Sequence, residues 1–302
     1  VAVVLIMGLT AIQWTGKAGN FAAITSVLPD WRSFPWWAGG FNVNEWSGAV
    51  TWILPTLIGI NMHNWAGRYW RIWAAVAAIL FAGLLFMGQS LSGLAGVIAG
   101  ILLLVAGKRW PRTVLTAAMA GLFAANFAIA ALPVQSAAML GVLSGQPDDT
   151  GLAHRAVMWE RARTMITDHP WTGVGIAMYR QLRNVYAVPG FEDEPLPHPH
   201  NEALQFGTDL GLPGLVLYGW FIVTAGQCAW SICRRGTEAE KATAMALIAG
   251  LFAHAVYGLT DAIPIWDRFA FLLWWWLGLL SGLDVRVSAR VSEPHSDTST
   301  SG

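Results

Sequence analysis

Charge is scarce in this chain of 302 residues. Asp, Glu, Lys and Arg together make up 12% and cancel to a net charge of zero, where an ordinary soluble domain carries roughly a quarter. No basic tract exists, which removes the electrostatic footprint of a nucleic-acid binder. Cysteine is nearly absent. Cys228 and Cys233 both lie at one end of an apolar segment, so no disulfide framework can be built. The chain has no Gly-x-Ser-x-Gly elbow and no P-loop, which argues against a serine nucleophile of that kind and against P-loop phosphate binding. It opens on Val1, without an initiator Met or the basic n-region of a signal peptide, and is expected to be the C-terminal part of a longer protein.

What fills the chain is apolar: 55% of its residues are hydrophobic, and they come in blocks of roughly spanning length. Seven blocks lie near 46–62, 72–87, 91–107, 113–133, 211–232, 242–263 and 268–284, with 1–14 as a clipped eighth. The expected fold is all-α, a polytopic integral membrane helical bundle with a partly helical external loop. Arg68 and Arg71, then Lys108, Arg109 and Arg112, then Arg234, Arg235 and Lys241, then Arg286 and Arg290 occupy alternate connections, which the positive-inside rule places in the cytoplasm. The chain then divides into N-terminal spans (1–133), an external loop (134–208), C-terminal spans (209–284) and a Ser-, Thr- and Glu-rich tail (285–302) expected to be disordered. Most tryptophans read as belt anchors.

The external loop holds the chemistry. Its first part, Gly151 to Asp168, has apolar residues at helical spacing and must stop before Pro170; on that helix Arg155 and Trp159 share a face, with Ala162 and Ile166 continuing the stripe. Asp168-His169-Pro170-Trp171-Thr172-Gly173-Val174-Gly175 marks a turn able to approach another backbone closely. Beyond Pro-rich, irregular chain comes His198-Pro199-His200-Asn201-Glu202. A short helix restarts at Asn201 and is broken by Gly211 and Pro213. All five basic residues of the loop are arginine. A guanidinium fork grips phosphate oxygens at two points, although Arg161, Arg180 and Arg183 taken singly also fit snorkelling and pairing with the loop's acids.

Four of the seven histidines, His154, His169, His198 and His200, lie in this loop. An imidazole can take a proton from an attacking hydroxyl; a histidine between prolines also fits a turn, and His198, His200 and His169 with nearby carboxylates also fit a metal set, but without a second ligand pair at recognisable spacing. His254 and Asp261 are ionisable residues inside an apolar block, where such groups mark function by default; Asp261, beside Pro264, also fits an interfacial cap. Glu45 fits either a partner for a helix N-terminus or a residue facing substrate.

The ordered set resembles the O-antigen ligase and O-antigen polymerase superfamily. The matching blocks are Gly39-Gly40-Phe41-Asn42-Val43-Asn44, Arg155-x-x-x-Trp159, His169-Pro170 with Gly173 and Gly175, and His200-Asn201 followed by Gly211 and Gly214. The resemblance implies a membrane enzyme that moves a glycan from an undecaprenyl-diphosphate carrier to an acceptor hydroxyl on the outer face of the bacterial inner membrane, with inversion and with no metal or other cofactor. The acceptor is a lipid A core, another glycan as in a polymerase, or a protein. It implies His200 and Arg155 as catalytic residues and Asn201 and Gln205 as supports, with His198 beside them. Many relatives carry a Ser-Arg-Gly where this chain reads Gln89-Ser90-Leu91-Ser92-Gly93; either Arg32, or one of Arg161, Arg163 and Arg180, stands in for the missing arginine, or this chain handles its donor differently or has lost activity. The ending YGLTDAIP with WWWLGL also resembles a subgroup described as bicarbonate transporters, which keeps a small-anion transporter as the reading from another class.

Overall fold

The computed structural model describes residues 2–15, 42–62, 67–109, 111–130, 152–188 and 198–292. Among these the secondary structure is helical throughout, with no strand: α1 (Ala2–Thr15), α2 (Val43–Met62), α3 (Arg68–Gly88), α4 (Leu91–Gly107), α5 (Pro111–Ala130), α6 (Leu152–Asp168), α7 (Glu202–Arg235), α8 (Glu238–Tyr257) and α9 (Phe271–Ser292). By length and composition α3, α7 and α8 can each cross a membrane. The apolar α4 is 17 residues long. The protein is a polytopic helical membrane protein. Arg32, the Gly39–Phe41 part of the first motif block, the acidic run 192–194 and the tail beyond Ser292 lie outside the described residues.

Helix α8 sits at the centre, packed on α2 and α4. Small residues make that approach close: a Cβ on Gly96 of α4 would lie 2.4 Å from the Ala253 carbonyl oxygen, and one on Gly100 2.8 Å from that of Ala249. In lipid, where apolar surface between helices gains little from leaving the solvent, backbone proximity of this kind holds helices together. Thr56 adds a polar tie, its hydroxyl donating to the Ala246 carbonyl at 3.0 Å. Bulky side chains face outward instead: Ile79, Phe123, Val216 and Trp220 are all more than two-thirds exposed in the isolated chain, as lipid-facing residues are.

Two differences from the sequence pattern concern helix ends. The apolar run 242–263 does not form a single helix. Helix α8 stops at Tyr257, and Gly258 to Ala270 form the connection to α9, so Asp261 sits on a loop. At the other end, α9 continues through Ser292, and 285–292 are helical where a disordered tail was expected. Val287 is buried there, and Arg290 forms a two-pronged ion pair with Glu240 of the α8 N-terminus at 2.7 and 2.8 Å, fixing the turn. The expected break at Gly211 is present: α7 carries a non-helical residue there, φ 72° and ψ −157°.

Candidate active site

Two glycine-bearing motifs that are far apart in sequence lock together to build the site's floor. The Leu212 N–H donates to the Pro170 carbonyl at 2.7 Å and the Val174 N–H to that of Thr208 at 2.8 Å, so the 169–175 turn is stitched to the kink in α7. Gly173 (φ 62°) and Gly211 (φ 72°) both occupy the left-handed region. A Cβ on Gly173 would lie 2.5 Å from the Thr208 oxygen and 2.6 Å from the Gly211 nitrogen, so both the conformation and the contact demand glycine. Gly173→Ala is therefore expected to destabilise the loop by more than the ~1–3 kcal/mol of backbone strain alone, seen as a lower melting temperature in detergent. Gly121→Ala, whose Cβ would meet nothing within 4 Å, is expected to be neutral.

Helix α6 lies across this floor. Its Ala156, Trp159, Ala162 and Met165 are fully buried with Tyr179 and Leu204, and Tyr179 donates to the Met158 carbonyl at 3.0 Å. Trp159 places the catalytic candidate, because its indole N–H reaches the His200 carbonyl at 3.4 Å. Trp159 of the expected arginine–tryptophan face thus meets the histidine turn.

That turn is pinned from below. Asn201 caps α7 by accepting the Leu204 N–H at 2.9 Å, and its amide donates to the Leu259 carbonyl at 2.9 Å. The Glu202 N–H donates to the Gly258 carbonyl at 2.8 Å, and the Glu202 carboxylate accepts the Ile263 N–H at 3.2 Å. The 198–202 turn and the 258–263 loop are therefore one unit. Between them His200, held in the left-handed region at φ 49°, directs Nδ1 to the Asp261 carboxylate at 2.9 Å. A left-handed backbone on a side chain of this size is uncommon and is a form of strain that concentrates at functional sites.

The electrostatics define a histidine–aspartate dyad. Burial works to raise the Asp261 carboxyl, but the His200 imidazole beside it, helped by His198 and Arg155, brings it down to about 2. The carboxylate is ionised and can only accept, so His200 donates from Nδ1; in the neutral form of the ring Nε2 then carries the lone pair. His198 stacks on His200 with ring centroids 4.1 Å apart and accepts the His200 backbone N–H on Nδ1 at 3.3 Å. Burial, then the neighbouring His200 and Arg155, push its imidazole down to about 3, so it stays neutral.

The other candidates divide. Arg155 acts electrostatically on both His198 and Asp261. Gln205 donates to Asp209 at 2.8 Å inside α7, a brace within the helix. Arg163 pairs with Glu160. Arg180 lies over the Trp266 ring, 5.6 Å from its centroid. Arg161 is fully buried and donates to the Tyr186 carbonyl at 3.1 Å, neither snorkelling nor paired with an acid among the described residues. Ser92, in the segment that lacks the arginine, shares a hydrogen bond with Thr260 at 3.0 Å, beside Asp261.

Two pairings were not legible in the sequence. Asp261 had a cap as one of its readings, and the loop it lies on brings it to His200 instead. Glu202 had no role, yet its carboxylate lies 3.4 Å from His254 Nε2. The general signal for both was an ionisable group inside an apolar block; the partners, 61 and 52 residues away, could not be read from spacing.

Fold and site together define a helical membrane protein that presents a histidine–aspartate dyad beneath an arginine-bearing loop helix. Residues 76–219 match the O-antigen ligase family. An O-antigen ligase of Pseudomonas aeruginosa is 31% identical over 193 residues, which cover 61% of this chain and 45% of that protein. The chain spans about half the length of the relative it matches. Both matches make this chain similar to the O-antigen ligase superfamily.

Proposed function

We propose that the protein transfers a glycan from an undecaprenyl-diphosphate carrier to an acceptor hydroxyl at the outer face of the bacterial inner membrane, with His200 as general base. The observation that carries this reading is the His200–Asp261 dyad, set beneath the loop helix and within the electrostatic reach of Arg155. The Nε2 lone pair removes the acceptor's hydroxyl proton. The oxygen then forms a bond to the anomeric carbon as the bond from that carbon to the diphosphate oxygen breaks, from the opposite face and hence with inversion. The proton ends on His200, and Asp261 stabilises the imidazolium. Arg155 offsets charge on the departing diphosphate, an effect that is often among the largest in catalysis. The acceptor is a lipid A core, a second lipid-linked glycan or a protein. The chemistry proposed draws on no metal.

Arg155 carries a clear test. A lysine keeps the charge but has no planar fork for two-point contact with phosphate oxygens, so Arg155→Lys is expected to lose about 10-fold or more of transfer rate, the worth of one charge-assisted hydrogen bond of ~1.5 kcal/mol or more. Transfer by membranes carrying equal amounts of each protein measures it. Near-normal transfer in the lysine variant would reduce Arg155 to a packing role.

A further inference from the structure

The two groups of the dyad also converge with His198 in a second way. His198, His200 and Asp261 each offer one ligand atom, and these atoms lie within 4.8 Å of one another. All three residues are largely withdrawn from solvent: His198 and Asp261 are 2% and 1% exposed. Among the described residues, the second carboxylate oxygen of Asp261 is buried without a hydrogen-bond partner. An orphaned, fully buried carboxylate oxygen costs free energy, and it stands here beside two imidazoles. Two imidazoles and one carboxylate with an open position is a ligand set suited to a borderline divalent transition ion such as zinc, and not to Mg²⁺ or Ca²⁺, which take oxygen ligands.

We propose that His198, His200 and Asp261 form an inhibitory transition-metal site in which Zn²⁺ binds reversibly and switches the dyad off. The site needs only a small adjustment, since zinc ligands sit roughly 2.0–2.2 Å from the ion and the three atoms already lie close enough to be drawn around one. Its effect on the base does not depend on which nitrogen of His200 coordinates. If Nε2 binds the ion, its lone pair is used. If Nδ1 binds it, the ring's one proton moves from Nδ1 to Nε2, which then has no lone pair to accept the acceptor's proton; the ring stays neutral and no proton is released. Arg155, whose charge acts on the same two residues, opposes a dication and keeps the site from holding zinc permanently. Metal binding rests on this geometry alone, and the inhibition rests additionally on the reading of His200 as the base.

The test separates the two. Calorimetric titration of the protein in detergent with ZnCl2 is expected to show one saturable site, with no response to MgCl2. His198→Ala and Asp261→Asn are each expected to weaken zinc binding at least roughly 10-fold, the lower end of what the loss of even an outer-sphere partner costs. His169→Ala, which removes a histidine engaged with Tyr186, is expected to bind zinc as the wild type does. In the transfer assay, zinc at saturating concentration is expected to abolish wild-type activity and a chelator to restore it. Absence of zinc binding, or binding that neither His198→Ala nor Asp261→Asn weakens, would overturn the metal site. Binding by these three residues while transfer continues undiminished would overturn the inhibition and count against His200 as the base.

Discussion

His200→Ala is expected to insert and fold as the wild type does yet transfer glycan at least ~10²-fold more slowly, the lower end of what a positioned general base supplies. Folding should survive because the side chain is a terminal ligand in its network. The turn itself is held by the Asn201 and Glu202 contacts to Leu259, Gly258 and Ile263, none of which uses the imidazole. Binding of the lipid-linked donor should persist, because the charge offered to the diphosphate comes from Arg155. A drop in kcat with the donor's affinity kept is the signature of a group that acts in the transition state. Equal loss of donor binding would place His200 in substrate recognition instead.

The second large effect is expected at Asp261, and its two substitutions divide the dyad from a simple loop cap. Asp261 Oδ1 accepts both His200 Nδ1 at 2.9 Å and the Ala262 N–H at 3.0 Å. Asp261→Ala removes both, leaves the imidazole free to turn or change tautomer, and is expected to cost about 10²-fold or more in transfer. In Asp261→Asn the amide oxygen can take the place of Oδ1 and keep both hydrogen bonds, so the loop should hold and the melting temperature should change little. What it loses is the charge that steadies the imidazolium, ~1–2 kcal/mol for a charge-assisted bond relative to a neutral one, or on the order of 10-fold in rate. A residue that only capped the loop would show full activity as asparagine. Measured rates and melting temperatures for the pair decide between the two.

Much of this architecture was legible in the residues because it depends on local rules. Apolar runs and their basic flanks gave the helices, the spacing of Arg155, Trp159 and Ala162 gave the loop helix and its buried face, and Gly211 with Pro213 gave the break in α7. The glycines of the 169–175 turn read as a site of close backbone approach, but their partner did not: Gly173 meets Gly211 because two segments some forty residues apart dock, and nothing in either segment's own pattern states that contact. The same limit hid the dyad. In 242–263 the apolar run continues past the helix end, so hydropathy alone could not show that the chain leaves the helix at Gly258 and carries Asp261 back towards His200. At the C-terminus, composition indicated disorder after Asp284, whereas the Arg290–Glu240 pair and buried Val287 extend α9; a long-range ion pair is likewise invisible in a local window. For the site, the resemblance to the O-antigen ligase motifs implied His200 and Arg155, while Asp261 and the bracing role of Glu202 depended on tertiary structure.

Transfer by the purified protein in lipid vesicles, supplied with an undecaprenyl-diphosphate-linked glycan labelled in its first sugar and with a hydroxyl-bearing acceptor, is the direct test of glycan transfer through His200. The expected result is labelled glycan on the acceptor with its anomeric configuration inverted, release of undecaprenyl diphosphate in equal amount, and loss of both in His200→Ala. No transfer to any lipid, glycan or protein acceptor, together with wild-type-dependent uptake of a small anion such as bicarbonate into the vesicles, would contradict it.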